Sequence, residues 1–314
     1  MNSKYYIGID GGGSQSTILL MDSSNRELYR AKRGPTNPFS IGIDKTEEVL
    51  KASIREITEL PENRDSLCAG ICIGSAGIHH KRDAENLKYR LQNHFPDIPI
   101  HVTNDYEIAL VGGTGSLNGI ILISGTGSVA YGRSEGHGFV RAGGWGHLIG
   151  DEGSAYHIGR KALISIFETC DDDRSGESLL ESMILENKQC RDLDDLMIWA
   201  YKSATKKDIA DLAIVVDKAF SRGDETAETI LNEAATDLLK ILDSIRKRLK
   251  FDTDRIPMIL SGGVLVNNSL VKRKFLSGVR TKYRDIFHVG PKHDPAYGAA
   301  LIAQNFNDGK EAAE

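Results

Sequence analysis

The chain has 314 residues, 39 of them Lys or Arg and 44 Asp or Glu, for a net charge of -5 and an isoelectric point near 6.0. Acids and bases are interspersed, which excludes the basic stripe that nucleic acid or an anionic membrane would select, and no apolar run approaches the roughly 20 residues that cross a bilayer. At this length one core is outgrown, so two domains with a cleft between them are expected.

The opening MNSKYYIGID enters a strand without a cleavable apolar segment, so a cytoplasmic protein is expected. Tyr5 to Asp10 is apolar and β-prone; a glycine triplet, Ser16 to Asp22, a turn at SSN and ELYRAKR follow, which reads as three strands joined by turns. Asp44 to Leu60 places Val49, Leu50, Ile54, Ile57 and Leu60 at helical spacing behind an Asp suited to cap the helix. Cys68 to Gly77 and Ile98 to Asp105 are short apolar runs ending in small or polar residues, as buried parallel strands do.

At Gly119 the plan restarts with an apolar strand, a Gly-Thr-Gly turn, a strand, a polar turn and a third strand. Ile7 to Ser14 aligns with Ile121 to Ser128, a thin identity that marks a duplication of structure. Beyond Gly153 the chain is mostly helical, through SAYHIGRKALISIFE, ADLAIVVDKAFSRG and ETAETILNEAATDLLKILDSIRKRLK. Ile256 to Val264 adds one more buried strand and PAYGAALIAQNF a closing helix. Cys68, Cys72, Cys170 and Cys190 form no C-x-x-C pair and have no His-x-x-x-His partner, which argues against a zinc or disulfide framework. His79 and His80 are adjacent, a spacing that rarely chelates one ion, and are read as an exposed loop.

A strand running into a glycine-rich turn surrounds an anion with backbone N–H groups, because residues without a Cβ let the main chain approach phosphate oxygens. Such turns lie at Asp10 to Thr17 and at Gly125 to Ser128. Neither is a Walker A loop, and neither is the G-x-G-x-x-G that opens a helix; each leads into a second strand. Singly each is an ordinary turn, but opening two similar units they favour a nucleotide clamp. Asp105 stands where strand gives way to helix, a place from which a carboxylate reaches an α/β crevice or caps the helix. Trp145 stands in a stretch, Ala142 to Gly159, with six glycines and an Asp-Glu pair. Gly143, Gly144 and Gly146 would let main chain approach a ligand closely, Trp145 offers a flat apolar wall, and Asp151 can accept hydrogen bonds. Ser154 is available to the first turn of the helix that follows, and Glu152 suits the helix dipole.

GIDGGGSQST, ILISGTGSVAYG, GGWGHLIGDEGSAYHIG and LSGGV resemble the phosphate and adenosine signatures of the sugar kinase, Hsp70 and actin superfamily. The third string resembles the N-acetylglucosamine kinases among the BadF/BadG/BcrA/BcrD-type ATPases. The resemblance runs along almost the whole chain, leaving about Glu168 to Lys206 unmatched. It implies an α/β fold of two ribonuclease-H-like domains, residues 1–115 and 116–295 with a helical insert, a terminal helix 296–310 that packs back on the first, and a nucleotide and sugar cleft between them.

The same resemblance implies ATP and Mg²⁺, the ion held by Asp10, directly or through water. Gly12, Gly13 and Ser14 would line one side of the phosphates and Gly125, Thr126 and Gly127 the other. Gly262 and Gly263, with Asn268 or Asn267, would lie beside the nucleoside. It assigns Asp105 as the base that takes the proton of the attacking hydroxyl, and Asn37, Asp105, Ser128, Gly144, Trp145, Gly146 and Asp151 as sugar contacts. The implied reaction is phosphorylation of an N-acetylhexosamine, N-acetylglucosamine or N-acetylmuramic acid, on its 6-hydroxyl, with glucosamine as an alternative. Pro38 and Phe39 depart from the animal enzymes beside Asn37 and leave room for a bulkier wall sugar. Homodimers are common in the family, and Gly112 to Gly119 offers hinge positions for closure. A competing reading is an ATP-driven activator of a partner enzyme. Such activators bridge an iron-sulfur cluster through cysteines, and none lies in or just after Gly125 to Gly150.

Overall fold

The computed structural model describes residues 3–60, 66–78, 80–171 and 178–307; His79 lies outside them. Two five-stranded sheets organise the chain. The first consists of β1 (Ser3–Gly11), β2 (Ser16–Asp22), β3 (Glu27–Arg33), β4 (Ser66–Ser75) and β5 (Ile100–Asn104), in the order β3-β2-β1-β4-β5. The second consists of β6 (Gly119–Ser124), β7 (Ser128–Ser134), β8 (Gly138–Gly143), β9 (Ile256–Ser261) and β10 (Ile286–His288), in the order β10-β9-β6-β7-β8. Each is an antiparallel meander of three strands extended, beyond its first strand, by two parallel ones. The duplication expected from Ile7 to Ser14 and Ile121 to Ser128 is therefore a duplication of topology.

Helices cover the sheets because their strands are apolar on both faces. After the short α1 (Pro38–Ile41), Leu50, Ile54 and Ile57 of α2 (Ile43–Thr58) and Leu87 and Leu91 of α3 (Lys81–Gln92) bury Tyr5, Ile7, Ile18 and Ile71. Asp44 does not cap α2. Gly42 holds that position, and Asp44 stands in the first turn, where it accepts a hydrogen bond from Arg90 at 2.7 Å.

Three helices lead away from this layer: α4 (Asp105–Thr114), then α5 (Ala155–Asp171) and α6 (Leu179–Lys188). After α7 (Leu193–Ile198) and one π turn come α8 (Lys206–Ser221), α9 (Glu225–Arg248), α10 (Gly263–Asn267), α11 (Ser269–Lys282) and α12 (Pro295–Asn307). Ile158 of α5, Leu212 and Val216 of α8, Leu238 and Leu242 of α9 and Phe275 of α11 pack with Ile120, Leu122 and Met258 on the outer face of the second sheet.

α4 and α12 fill the space between the sheets. Ile108, Leu110 and Val111 of α4 and Ala299 and Ile302 of α12 share one cluster with Tyr6 and Cys72 of the first sheet and Ile121, Tyr131 and Ile259 of the second. Ala296 and Ala300 of α12 also meet Leu19 and Met21. A buried ion pair ties α4 to β7: Arg133, 3% exposed, donates through Nε to Glu107 Oε1 at 2.8 Å and through Nη1 to the Leu117 carbonyl at 2.7 Å. Thr103 donates to the other Glu107 oxygen. Removing either charge would leave its partner buried and unpaired.

The glycines expected as hinges have a packing role here. Gly112 and Gly113 lie inside α4, and Gly115 is its left-handed C-cap at φ 64°. A Cβ on Gly298 of α12 would strike the Ile108 carbonyl and the Gly112 backbone, and one on Gly112 would strike the Asp294 carbonyl. The two helices thus cross backbone to backbone. Gly298→Ala is expected to lower unfolding stability by about 2 to 4 kcal/mol, read as a lower urea midpoint at unchanged slope. Wild-type stability would mean that the crossing is looser than described.

Candidate active site

Asp10 is the next-to-last residue of β1, with Thr17 beside it on one side and Gly74 on the other. Its carboxyl is pushed up to about 6, first by burial and then by the negative charges of Asp105 and Asp294. The start of α4 and the loop before α12 thus put two further acids within electrostatic reach of Asp10. Asp294 is held by an ion pair with Arg30 of β3 and accepts the Tyr297 N–H at 3.0 Å. Asp105 is the first residue of α4 and not its cap: Asn104 caps, with Oδ1 accepting the Glu107 N–H at 2.9 Å.

Beside Asp105 the rings of Tyr106 and Tyr131 stack 4.4 Å apart, and Tyr131 stacks on Phe139 at 5.2 Å. Burial raises both tyrosine hydroxyls; the charge of Asp105 adds to this and the Arg141 guanidinium opposes it. Arg141 in turn lies 4.5 Å over the Trp145 ring, which is 65% exposed. A chain of rings and one guanidinium therefore runs from Asp105, at the seam of the sheets, to the tryptophan loop.

The first glycine hairpin and Asn37 come together. The Thr36 N–H donates to the Gly12 carbonyl at 3.1 Å, and Ser16 and Thr36 share a hydroxyl hydrogen bond of 2.7 Å. A Cβ on Gly13 would lie 3.8 Å from Asn37 Nδ2. Gly13 and Ser14 are exposed. Asn37 Oδ1 caps α1 by accepting the Phe39 N–H at 2.9 Å, as an Asn before Pro often does, which leaves its amide nitrogen facing the hairpin.

At the second hairpin, Gly125 and Thr126 line a cavity of about 480 Å³ with Gly263, Asn267, Asn268 and Asp217. Gly262 takes φ 86°, and a Cβ there would strike the Ser124 carbonyl, so the two backbone turns press together. Asn268 borders the cavity with its amide engaged at both ends: Oδ1 accepts the Val271 N–H at 2.9 Å and Nδ2 donates to Asp217 at 2.7 Å. Burial raises the Asp217 carboxyl. Ser128 is buried, and its hydroxyl donates to the Glu152 carbonyl at 2.6 Å.

The loop from Gly143 to Gly153 departs in part from expectation. Gly144 and Gly146 take φ 71° and 89°, which only glycine adopts without strain, and they free Trp145 to stand out with Leu148 and Ile149. Gly159 serves packing instead, since a Cβ there would strike the Ile209 carbonyl of α8. Asp151 is 4% exposed and itself at φ 65°. A Cβ on Gly127 would lie 2.8 Å from Asp151 Oδ2; the Ser128 N–H donates to Oδ1 at 3.4 Å, and Lys206 Nζ pairs with Oδ2 at 3.1 Å. Its carboxylate lies on the second hairpin. Ser154 meets its expectation, accepting the His157 N–H at 3.2 Å, while Glu152 precedes α5 and is exposed, as is His80.

Asp294, Lys206, Arg141 and Asp217 carry no local signal as strong as the glycine strings. Asp294 has the best, an Asp directly before the Pro that opens a helix.

A profile of the BadF/BadG/BcrA/BcrD ATPase family matches residues 7–303. An N-acetylmuramic acid/N-acetylglucosamine kinase of Clostridium acetobutylicum is 36% identical over 304 residues, 96% of this chain and 99% of that one. An N-acetyl-D-glucosamine kinase of Dictyostelium discoideum is 30% identical over 317 residues, 97% and 99% of the two. Among solved structures, a protein of Chromobacterium violaceum provisionally named an N-acetylglucosamine kinase superimposes with a TM-score of 0.60 at 26% identity, covering 95% of this chain and 98% of that one. The chain belongs to the BadF/BadG/BcrA/BcrD ATPase family.

The Asp10 carboxyl sits above its unfolded value, so it costs no stability below about pH 4, where it is protonated in both states, and costs most above about 6, where the fold must hold it charged. In metal-free buffer Asp10→Asn is therefore expected to be more stable than wild type at pH 8, by on the order of 1 to 3 kcal/mol, with the gain shrinking toward pH 5. Denaturant titrations at both pH values check this; a gain that does not change with pH contradicts it.

Proposed function

We propose that the chain transfers the γ-phosphate of ATP to the 6-hydroxyl of an N-acetylhexosamine, N-acetylglucosamine or N-acetylmuramic acid. The observation that carries this reading is the convergence of Asp10 and Asp105 where two like sheets meet, each with its glycine hairpin, in a chain similar along its length to kinases of those sugars. Asp105 accepts the hydroxyl proton as the sugar oxygen bonds to the γ-phosphorus and the bond to the β–γ bridging oxygen breaks, leaving ADP. Backbone of Gly12, Gly13 and Ser14 lies on one side of the phosphates and that of Gly125, Thr126 and Gly127 on the other. The nucleoside takes the 480 Å³ cavity, beside Gly262 and Gly263.

Mg²⁺ fits at Asp10, where negative charge is in excess of positive. Among the described residues no three His, Cys, Asp or Glu side chains close on one point, and an ion carried by phosphates needs only one or two carboxylates beside its waters. When bound it neutralises phosphate charge. Asn37, Gly144, Trp145, Gly146 and Asp151 contact the sugar. A cavity of about 190 Å³ lined by Pro38, Phe39 and Gly77 takes its N-acetyl or O3 substituent. The same reading takes residues 1–115 and 116–295 as domains, the cytoplasm as location and a homodimer as assembly.

An assay coupling ADP release to ATP and N-acetylglucosamine is expected to show turnover, and silence across amino sugars with and without an O3 lactyl group would overturn the reading. Asp105→Asn is expected to lower kcat by about 10² or more while binding of a non-hydrolysable ATP analogue persists. Full turnover in that variant would remove Asp105 from its role.

A further inference from the structure

The helical stretch ending at Lys206 is the part of the chain that the glycine motifs leave unexplained, and its last residue reaches the cleft. Lys206 opens α8 behind Thr205, whose hydroxyl accepts the Asp208 N–H at 3.2 Å while Asp208 accepts from Thr205 in return. Its ammonium meets Asp151, a carboxylate 4% exposed and lying against Gly127 and Ser128. The ammonium therefore stands at the second phosphate hairpin. Farther along the same helix, Ala210, Ile214 and Asp217 line the nucleoside cavity. Lys206 and Asp217 are eleven residues apart, about 16 Å along a helix, so one rigid element spans from the sugar-binding acid to the nucleoside.

We propose that Lys206 has two partners in turn, Asp151 in the sugar-free protein and the terminal phosphate of ATP once sugar hydroxyls donate to Asp151, so that α8 couples sugar binding to nucleotide binding. A charged carboxylate as buried as Asp151 needs a cation or several hydrogen-bond donors. The ion pair supplies the first and sugar hydroxyls the second. Asp151 and Lys206 differ in freedom: their side chains are 5% and 37% exposed, so the flexible lysine moves and the acid stays. An ammonium released beside Gly127 finds its nearest incoming anion in the triphosphate, whose charge in phosphoryl transfer is stabilised by such donors.

The proposal rests on the kinase reading, and binding data separate their failures. Calorimetry follows N-acetylglucosamine, and a non-hydrolysable ATP analogue with and without saturating sugar, for wild type, Lys206→Met, Lys206→Gln and Lys206→Arg. In wild type, sugar is expected to tighten the analogue about tenfold. In the Met and Gln variants the analogue is expected to bind as in sugar-free wild type, the tightening to vanish, and kcat at saturating substrates to fall about 10²-fold, with Arg restoring part of each. Retained tightening, or a change in sugar KM alone at unchanged kcat, would overturn the coupling and leave the kinase standing. A wild-type protein that neither binds nor phosphorylates amino sugars would overturn both.

Discussion

The site depends on crowding of negative charge. Asp10, Asp105 and Asp294 come from a strand end, a helix start and the loop before the last helix, and burial first, then the negative charges of Asp105 and Asp294, pushes the Asp10 carboxyl up to about 6. A fold holds such an arrangement only where surrounding structure resists relaxation. Here the resistance comes from α4 and α12, packed through glycine backbones at Gly112 and Gly298 and anchored by the buried Glu107–Arg133 pair. Crowded acid is what a protein offers when the missing partner is a cation or a proton to be removed, and the proposed phosphoryl transfer would supply both.

Duplication explains why two hairpins exist at all. Each meander turns back on itself through glycines at the end of its first strand, and each sheet adds two parallel strands on the opposite side. The copies then diverge. The first keeps Asp10 and sets Asn37 beside its hairpin, whereas the second lays Asp151 across Gly127 and presses Gly262 against Ser124. In the proposed reading the first half serves metal and phosphate, and the second serves nucleoside and the exchange between Asp151 and Lys206.

Strands and hairpins were legible because glycine turns stand between apolar runs, and Asp10 and Asp105 because acids at strand ends are conspicuous. The cap of α2 was misplaced by two residues, since an Asp suits both a cap and a first turn and only geometry chooses Gly42; of the two readings open for Asp105, the capping one falls to Asn104. Strand β10 has three residues and α10 five, too few for a period to register. Asp151 read as an acceptor for hydroxyls, but its ion pair joins residues 55 positions apart, which no local pattern carries. The six glycines around Trp145 looked like one device for approaching a ligand. Gly144 and Gly146 shape the loop, while Gly159 lets α5 meet α8.

Burial and the charges of Asp105 and Asp294 together set the titration of Asp10. A carbon NMR titration of the metal-free protein labelled at aspartate carboxyls, with Asp10→Asn used to assign the signal, reads this directly. The expected midpoint of Asp10 is about 6, and it falls when either Asp105 or Asp294 is replaced by Asn. A midpoint at the ordinary carboxylate value, indifferent to both replacements, would contradict it.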